Sequence, residues 1–361
     1  EATDALEAGM SVMIFSDNVP VEQEIALKEA AARSDLLVMG PDCGTAVVGG
    51  VGLGFANVVR PGPVGLVAAS GTGAQQMLSL LDAAGVGVTH CLGVGGRDLS
   101  AQVGARSTRQ ALAALDADPS VEVIAVVSKP PAPEVAEAVR SYAASLSTPV
   151  VLVFLGEGES DLTAGAERVL ATLGRPVPEW PFWRPRQPRL SRPGALRGLF
   201  SGGTLCDEAM VIAAAQLGPV HSNIPLRPEW ALPEDLRAPG HLMIDFGDDA
   251  LTRGRPHPMI DPTLRLERLE QELTDPATGV VLLDVVLGHG AHADPAGELA
   301  DVLGLGSAPV IVSLCGTEGD PQGLSRQAEA LTEAGAEVYL SNAAAARRAV
   351  ELVTAGKEGV R

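Results

Sequence analysis

The sequence predicts an α/β protein: two flavodoxin-like parallel-sheet domains in tandem, preceded by the end of a Rossmann-like domain. Three observations predict it. From Val64 onward, short apolar runs alternate with stretches of helical periodicity, the pattern of βαβ units in a sheet covered on both faces. A proline- and tryptophan-rich segment at 174–195 interrupts the alternation, which then restarts. An apolar strand that runs into a Ser-Gly turn and continues as a helix occurs in each half, at Ser70-Gly71-Thr72-Gly73 and Ser201-Gly202-Gly203-Thr204.

Taken in order, residues 1–8 read as the end of a helix, Ser11–Phe15 as a strand, Val21–Arg33 as a helix and Asp35–Met39 as a strand. Residues 1–45 are therefore expected to be the tail of a parallel α/β domain, and a start at Glu1 within a helical pattern suggests a fragment of something longer. Gly40-Pro41-Asp42-Cys43-Gly44 opens a Gly-rich connector reaching Pro63. The first flavodoxin-like domain, 46–173, has strands near 64–69, 87–93, 121–127 and 149–154, with helices near 73–84, 103–115, 133–146 and 161–172. In 174–195, Pro176, Pro178, Pro181, Pro185, Pro188 and Pro193 forbid a regular helix or central strand. Trp180 and Trp183 would pin that linker to a surface. The second domain, 196–361, carries strands near 196–200, 241–246, 279–286, 308–314 and 336–340. Its helices fall near 204–217, 262–273, 295–303, 322–334 and 342–354. The halves repeat: Cys91–Asp98 matches Leu242–Asp249, Val123–Pro130 matches Val281–His289, and Pro149–Gly156 matches Pro309–Gly316.

Composition narrows the function. A chain of 361 residues with 46% apolar content holds two or three domain cores. It contains no run of about 18 apolar residues that would span a membrane. A net charge of −19 without a basic patch argues against nucleic acid. Cys43, Cys91, Cys206 and Cys315 are far apart, match no zinc or CxxC spacing, and read as reduced thiols of a cytoplasmic protein. No metal site is expected. Arginine dominates the cations, and the lysines are Lys28, Lys129 and Lys357.

The Ser-Gly turns carry the chemistry. A strand that restarts as a helix leaves backbone N–H groups unpaired at the helix N-terminus. With the hydroxyls and the helix dipole, these favour a phosphate or carboxylate. The bland alternative is a turn that merely caps its helix, and the repetition favours function. Ser70, Gly71 and Thr72, with Ser201, Gly202, Gly203 and Thr204, are the candidate anion-binding residues. In a doubly wound sheet the ligand sits beyond the carboxyl ends of the strands.

At these residues a resemblance enters. Gly40-Pro41-Asp42-Cys43, Val64–Thr72 and Gly93-Val94-Gly95-Gly96 resemble the α subunit of succinyl-CoA synthetase, from its CoA-binding domain into its ligase domain. The second half resembles the β-subunit ligase domain. Both halves in tandem, with Ser201–Glu208 and His257-Pro258-Met259-Ile260-Asp261-Pro262, resemble the FdrA family of acyl-CoA synthetase-like proteins. The resemblance implies a phosphate-handling centre built on two helix N-termini, with CoA held through a domain that precedes this chain. Two departures follow. Where the α subunit has a Gly-His-Ala-Gly segment, Gly156–Asp161 here has no histidine. Where the synthetase has an acidic residue facing the phosphohistidine, this chain has Lys129. No ATP-grasp domain is visible. The family resemblance implies oxamate carbamoyltransferase chemistry in allantoin catabolism: oxalurate plus phosphate giving oxamate plus carbamoyl phosphate. The alternatives are a subunit of an ADP-forming acyl-CoA synthetase, and a structural or regulatory subunit. The expected partners are phosphate or an acyl or carbamoyl phosphate, with other subunits or further copies of the chain.

Individual residues divide between functional and bland readings. Lys129 is a point charge for phosphate or a solvated strand-end lysine. His289, in Leu287-Gly288-His289-Gly290, is a general acid–base or a loop histidine, with His292 as its neighbour. Gly95, Gly96, His257 and Asp261 are expected at the substrate, although Asp261 also suits capping of the helix after Pro262. Arg253, Arg255 and Arg265 are candidates to clamp carboxylates, and Cys206 reads as a buried small residue.

Overall fold

The computed structural model describes residues 1–156 and 158–358; Glu157, within the Gly156–Asp161 segment, lies outside them. The chain divides into two units, Glu1–Pro178 and Glu179–Arg361, and the division falls inside the proline-rich segment.

The first unit opens with α1 (Ala2–Glu7), β1 (Val12–Met13), α2 (Val21–Arg33) and β2 (Val38–Met39). β1 and β2 pair in parallel, and Leu6, Ala31 and Val38 form a small core between them and the helices. The Gly-rich connector then contains a hairpin, β3 (Thr45–Val48) and β4 (Val51–Gly54), that its sequence does not announce. Gly49 and Gly50 both have positive φ, the backbone a tight hairpin turn demands. The largely exposed β4 carries Gly52 and Gly54 in place of alternating apolar residues, which hides the strand signal.

Beyond it come β5 (Val64–Ala69), α3 (Gly71–Ala83), β6 (Val88–Gly93), α4 (Arg106–Asp116), β7 (Val123–Ser128), α5 (Pro133–Ala143), β8 (Val150–Phe154) and α6 (Leu162–Thr172). The six-stranded sheet runs β4-β3-β6-β5-β7-β8, parallel from β6 to β8. β5 and β7 are buried at every position, so they read as continuous apolar runs rather than alternating ones.

The second unit consists of β9 (Phe182–Trp183), β10 (Ala195–Phe200), α7 (Gly203–Leu217), β11 (Val220–Ser222), β12 (His241–Asp245), α8 (Asp249–Thr252), α9 (Thr263–Thr274), β13 (Thr278–Val286), α10 (Pro295–Leu303), β14 (Val310–Cys315), α11 (Leu324–Glu333), β15 (Glu337–Tyr339) and α12 (Asn342–Glu358). Its sheet runs β11-β12-β10-β13-β14-β15-β9. Within it, β12-β10-β13-β14-β15 is the flavodoxin-like order 2-1-3-4-5. The proline-flanked Phe182–Trp183 forms an antiparallel edge strand on β15, where missing amide donors face outward, and Phe182 stacks on Tyr339 at 5.9 Å. No helix among the described residues is long and apolar enough to cross a membrane.

In each unit the strand order reverses at the strand that ends in the Ser-Gly turn: β5 lies between β6 and β7, and β10 between β12 and β13. The loops after those three strands therefore meet in one place.

Candidate functional site

In the first unit, Ser70 is the N-cap of α3, and its Oγ accepts a hydrogen bond from Gly73 N at 3.0 Å. Beyond that cap, the N–H groups of Gly71 and Thr72 meet no acceptor among the described residues, and Gly71 is exposed. Ala69 pairs with Ser128, so half-buried Lys129 follows at the neighbouring strand end. Gly95 and Gly96 follow β6, packed on the Gly40–Cys43 loop. Gly95 has φ +91°, and a Cβ there would strike Pro41 O; a Cβ on Gly96 would lie 2.8 Å from Asp42 Oδ2. This contact explains physically why the two glycine-bearing motifs occur together.

A buried ion cluster holds the same loop from behind. Lys28 Nζ donates to Glu24 Oε1 at 2.8 Å, Asp98 Oδ1 at 2.7 Å and Val94 O at 3.0 Å, with all three side chains or backbone atoms out of solvent. Asp98 also accepts from Ser107 N, Thr108 N and Thr108 Oγ1, which caps α4 from outside the helix because Ala105 has no side-chain cap to offer. The scarcity of lysine pointed at Lys28 only in retrospect; its acceptors on Val94 and Asp98 lie far away in sequence. Burial disfavours the thiolate at the cysteines near this loop, pushing Cys43 up to about 12 and Cys91 higher still.

The second unit treats its turn differently. The Asp284 carboxylate, fully buried, accepts from Ser201 N at 2.7 Å, Ser201 Oγ at 2.9 Å and Gly202 N at 2.8 Å. Arg265 Nη1 lies 2.7 Å from the same carboxylate and also donates to Asp284 O. Burial holds the Asp284 carboxyl above its ordinary range, and the Arg265 charge and the Ser201 and Gly202 donors offset only part of that rise. Donors expected to hold an external anion are thus engaged by an internal one. Gly203 and Thr204 form the first turn of α7, whose N-cap Gly202 has no side chain to cap with. Arg265 Nε, buried, finds no acceptor among the described residues.

His257 belongs to this cluster. Its Nδ1 accepts from Met259 N at 3.2 Å, and burial, reinforced by the Arg265 charge, holds its pKa down at about 4. At Gly247 a Cβ would lie 2.6 Å from Ser201 O and 2.8 Å from His257 Nε2, so glycine permits the approach of β12's end to the turn. Asp261 is exposed and accepts from Thr263 N and Thr263 Oγ1, a capping arrangement at the start of α9. His289 is exposed, and its side chain has no hydrogen bond among the described residues. His292 is the histidine drawn to the cluster: its backbone N–H donates to Met259 O at 2.7 Å, and it lines a small cavity with Ser201, Met259 and Arg265. Gln322 holds the intervening loop, bonding Gly288 N, Gly288 O and His292 O.

Asp284 and Gln322 are the residues sequence reasoning missed. Strand pairing shows why. Ala68 pairs with Val127 two residues before Ser70, and Leu199 pairs with Leu283 two residues before Ser201. Asp284 therefore stands where the first unit has Ser128, two residues away from the sequence alignment of the halves. A shift of two keeps every side chain on its own face, so apolar pattern alone does not detect it.

Comparison with known proteins agrees with this architecture. The family described as CoA-ligase matches residues 199–352, all within the second unit. YahF of Escherichia coli K12 is 39% identical over 386 residues, covering 99% of this chain and 75% of YahF. The malate–CoA ligase α subunit of Methylorubrum extorquens is 24% identical over 41% of this chain and 51% of its own. The ADP-forming succinate–CoA ligase α subunit of Methanothermobacter thermautotrophicus is 32% identical over 24% of this chain and 30% of its own. The chain belongs to the FdrA family of succinyl-CoA synthetase-like, CoA-ligase-related proteins.

Proposed function

We propose that this chain is a phosphate-handling component of an acyl-CoA ligase-type enzyme, working with CoA and with a nucleotide-binding subunit supplied by a partner. The observation that carries the reading is the Ser70 turn. Its Gly71 and Thr72 N–H groups meet no acceptor among the described residues, stand at the strand-order reversal, and have Lys129 on the adjoining strand end. There an acyl phosphate would rest its phosphate on backbone donors and the Lys129 charge. The thiolate of CoA would attack the acyl carbon, forming the C–S bond as the C–O bond to phosphate breaks and phosphate leaves. Backbone donors aimed at the departing oxygens stabilise that charge. Gly95 and Gly96 would line the acyl group. In the second unit His257, Asp261 and His289 would serve as substrate-side residues of that unit's own turn, beside Gly203 and Thr204 in the first turn of α7.

The similarity to ligase subunits supports this reading. A second reading, carbamoyl transfer from oxalurate to phosphate, draws on the absence of histidine from Gly156–Asp161. That absence removes the phosphohistidine a ligase relay would use and leaves simple phosphorolysis feasible.

One experiment separates them. The purified chain is incubated with acetyl phosphate or succinyl phosphate and CoA, and in parallel with oxalurate and phosphate, while the Gly71 and Thr72 amide resonances are followed. Acyl-CoA with saturable shifts at those amides is the expected result. Carbamoyl phosphate in the parallel arm would transfer the assignment to the carbamoyltransferase. Neither product, with both amides unmoved by phosphate, overturns the proposal.

A further inference from the structure

The two turns are equivalent in topology and unequal in chemistry. In the second, four donors converge on one carboxylate: Ser201 N, Ser201 Oγ, Gly202 N and Arg265 Nη1, all within 2.9 Å of Asp284. That is the donor set expected around a phosphate at a helix N-terminus: two backbone N–H groups, a hydroxyl and a guanidinium. Asp284 is fully buried and Arg265 is 4% exposed, so the arrangement is part of the interior. Arg265 retains a buried Nε without an acceptor among the described residues, a donor left over after the internal carboxylate has been served. In the first unit the same position in the sheet is Ser128, a neutral residue with no charge to present to the Ser70 turn.

We infer that Asp284 is the specificity-determining residue of the second turn: its carboxylate takes the place of an external anion, closing the Ser201 turn to phosphate, and removing that carboxylate opens it. The inference rests on reading such turns as anion cradles, and it restricts phosphate binding in the native chain to turns lacking an internal anion. Electrostatics sets the direction. With Asp284 present, the Arg265 charge is neutralised and an entering phosphate would meet a carboxylate in a low-dielectric interior. With the Asp284 carboxylate absent, two N–H groups and a hydroxyl are left without an acceptor and the buried guanidinium keeps the residue-284 carbonyl but loses its counter-charge, each costly to leave so.

The test is a titration of the whole chain with inorganic phosphate, reading the Ser201 and Gly202 amide resonances in the wild type and in Asp284→Ser, which installs the residue the first unit uses. The wild-type resonances should not move. In Asp284→Ser they should shift saturably, with phosphate affinity at that turn at least about tenfold above wild type. Should Asp284→Ser not fold, Asp284→Asn keeps the side-chain volume and must gain a phosphate-dependent rise in melting temperature larger than that of the wild type. Saturable movement of Gly202 in the wild type overturns the inference, as does a folded Asp284→Ser that ignores phosphate, or an Asp284→Asn rise equal to wild type. Silence of Gly71 and Thr72 in the wild type, with Gly202 responding in Asp284→Ser, would sink the Ser70 reading and leave this inference standing.

Discussion

Lys28 and His257 show how single residues acquire meaning from neighbours distant in sequence. Lys28 is a charged residue with no exposed surface, tolerated because Glu24, Asp98 and Val94 O accept all three of its donors. Removing it would take the shared counter-charge from two buried carboxylates, of which Glu24 keeps Arg97 at 3.0 Å. Lys28→Ala is therefore expected to cost about 3–5 kcal/mol of stability in denaturant unfolding. A loss below about 1 kcal/mol would mean that the cluster is not buried as described. His257 and His241 are both held neutral by burial, with pKa values lowered from 6.5 to about 4. Their lowered folded-state values give the sign. The stability they contribute is complete above pH 6.5 and is lost as pH falls from 6.5 through 4, because only the unfolded chain takes up the proton easily. Each is worth roughly 3 kcal/mol over that window. Unfolding between pH 7 and 4 should show this decline, and His241→Asn, which retains an acceptor for Leu196 N, should flatten it.

At the scale of elements, the βα turns are legible and their capping is only half legible. Ser70 in front of Gly71-Thr72-Gly73 is a sequence-visible N-cap, and its Oγ does cap Gly73 N. Ser70→Ala should cost about 1 kcal/mol, read as faster amide exchange confined to the first turn of α3. The cap of α4 comes from Asp98, and Asp284 holds the Ser201 and Gly202 N–H groups just ahead of α7; both carboxylates lie outside those helices, so no local motif marks them. The loop bearing His289 and His292 is held in the same non-local way. Gln322→Ala should speed hydrogen exchange at Gly288 N while leaving β13 protected, since only the loop's anchor is lost. Strands buried on both faces show in the sequence as near-continuous apolar runs. The β3–β4 hairpin was not: glycines occupy the positions whose alternation would have shown it.

For the whole molecule, the repeat predicts two self-contained sheets, and the chain divides at Pro178–Glu179 into two compact units. Residues 179–361 expressed alone should unfold in a single cooperative transition, since the seven-stranded sheet closes within that stretch. A gradual, non-cooperative melt would show that its core depends on the first unit. The fold class, the order of the main βα units and the places where helices begin after Ser-Gly were determined by sequence alone, because backbone conformation and burial periodicity are local properties. Tertiary structure alone decided which charge faces which turn. Strand register sets Asp284 against Ser201 and Ser128 beside Ser70, and packing brings Lys28 to Asp98 and His257 to Gly247. A shift of two residues along a strand leaves the apolar pattern unchanged while exchanging a carboxylate for a hydroxyl at the turn, so electrostatic partners had to be read from space.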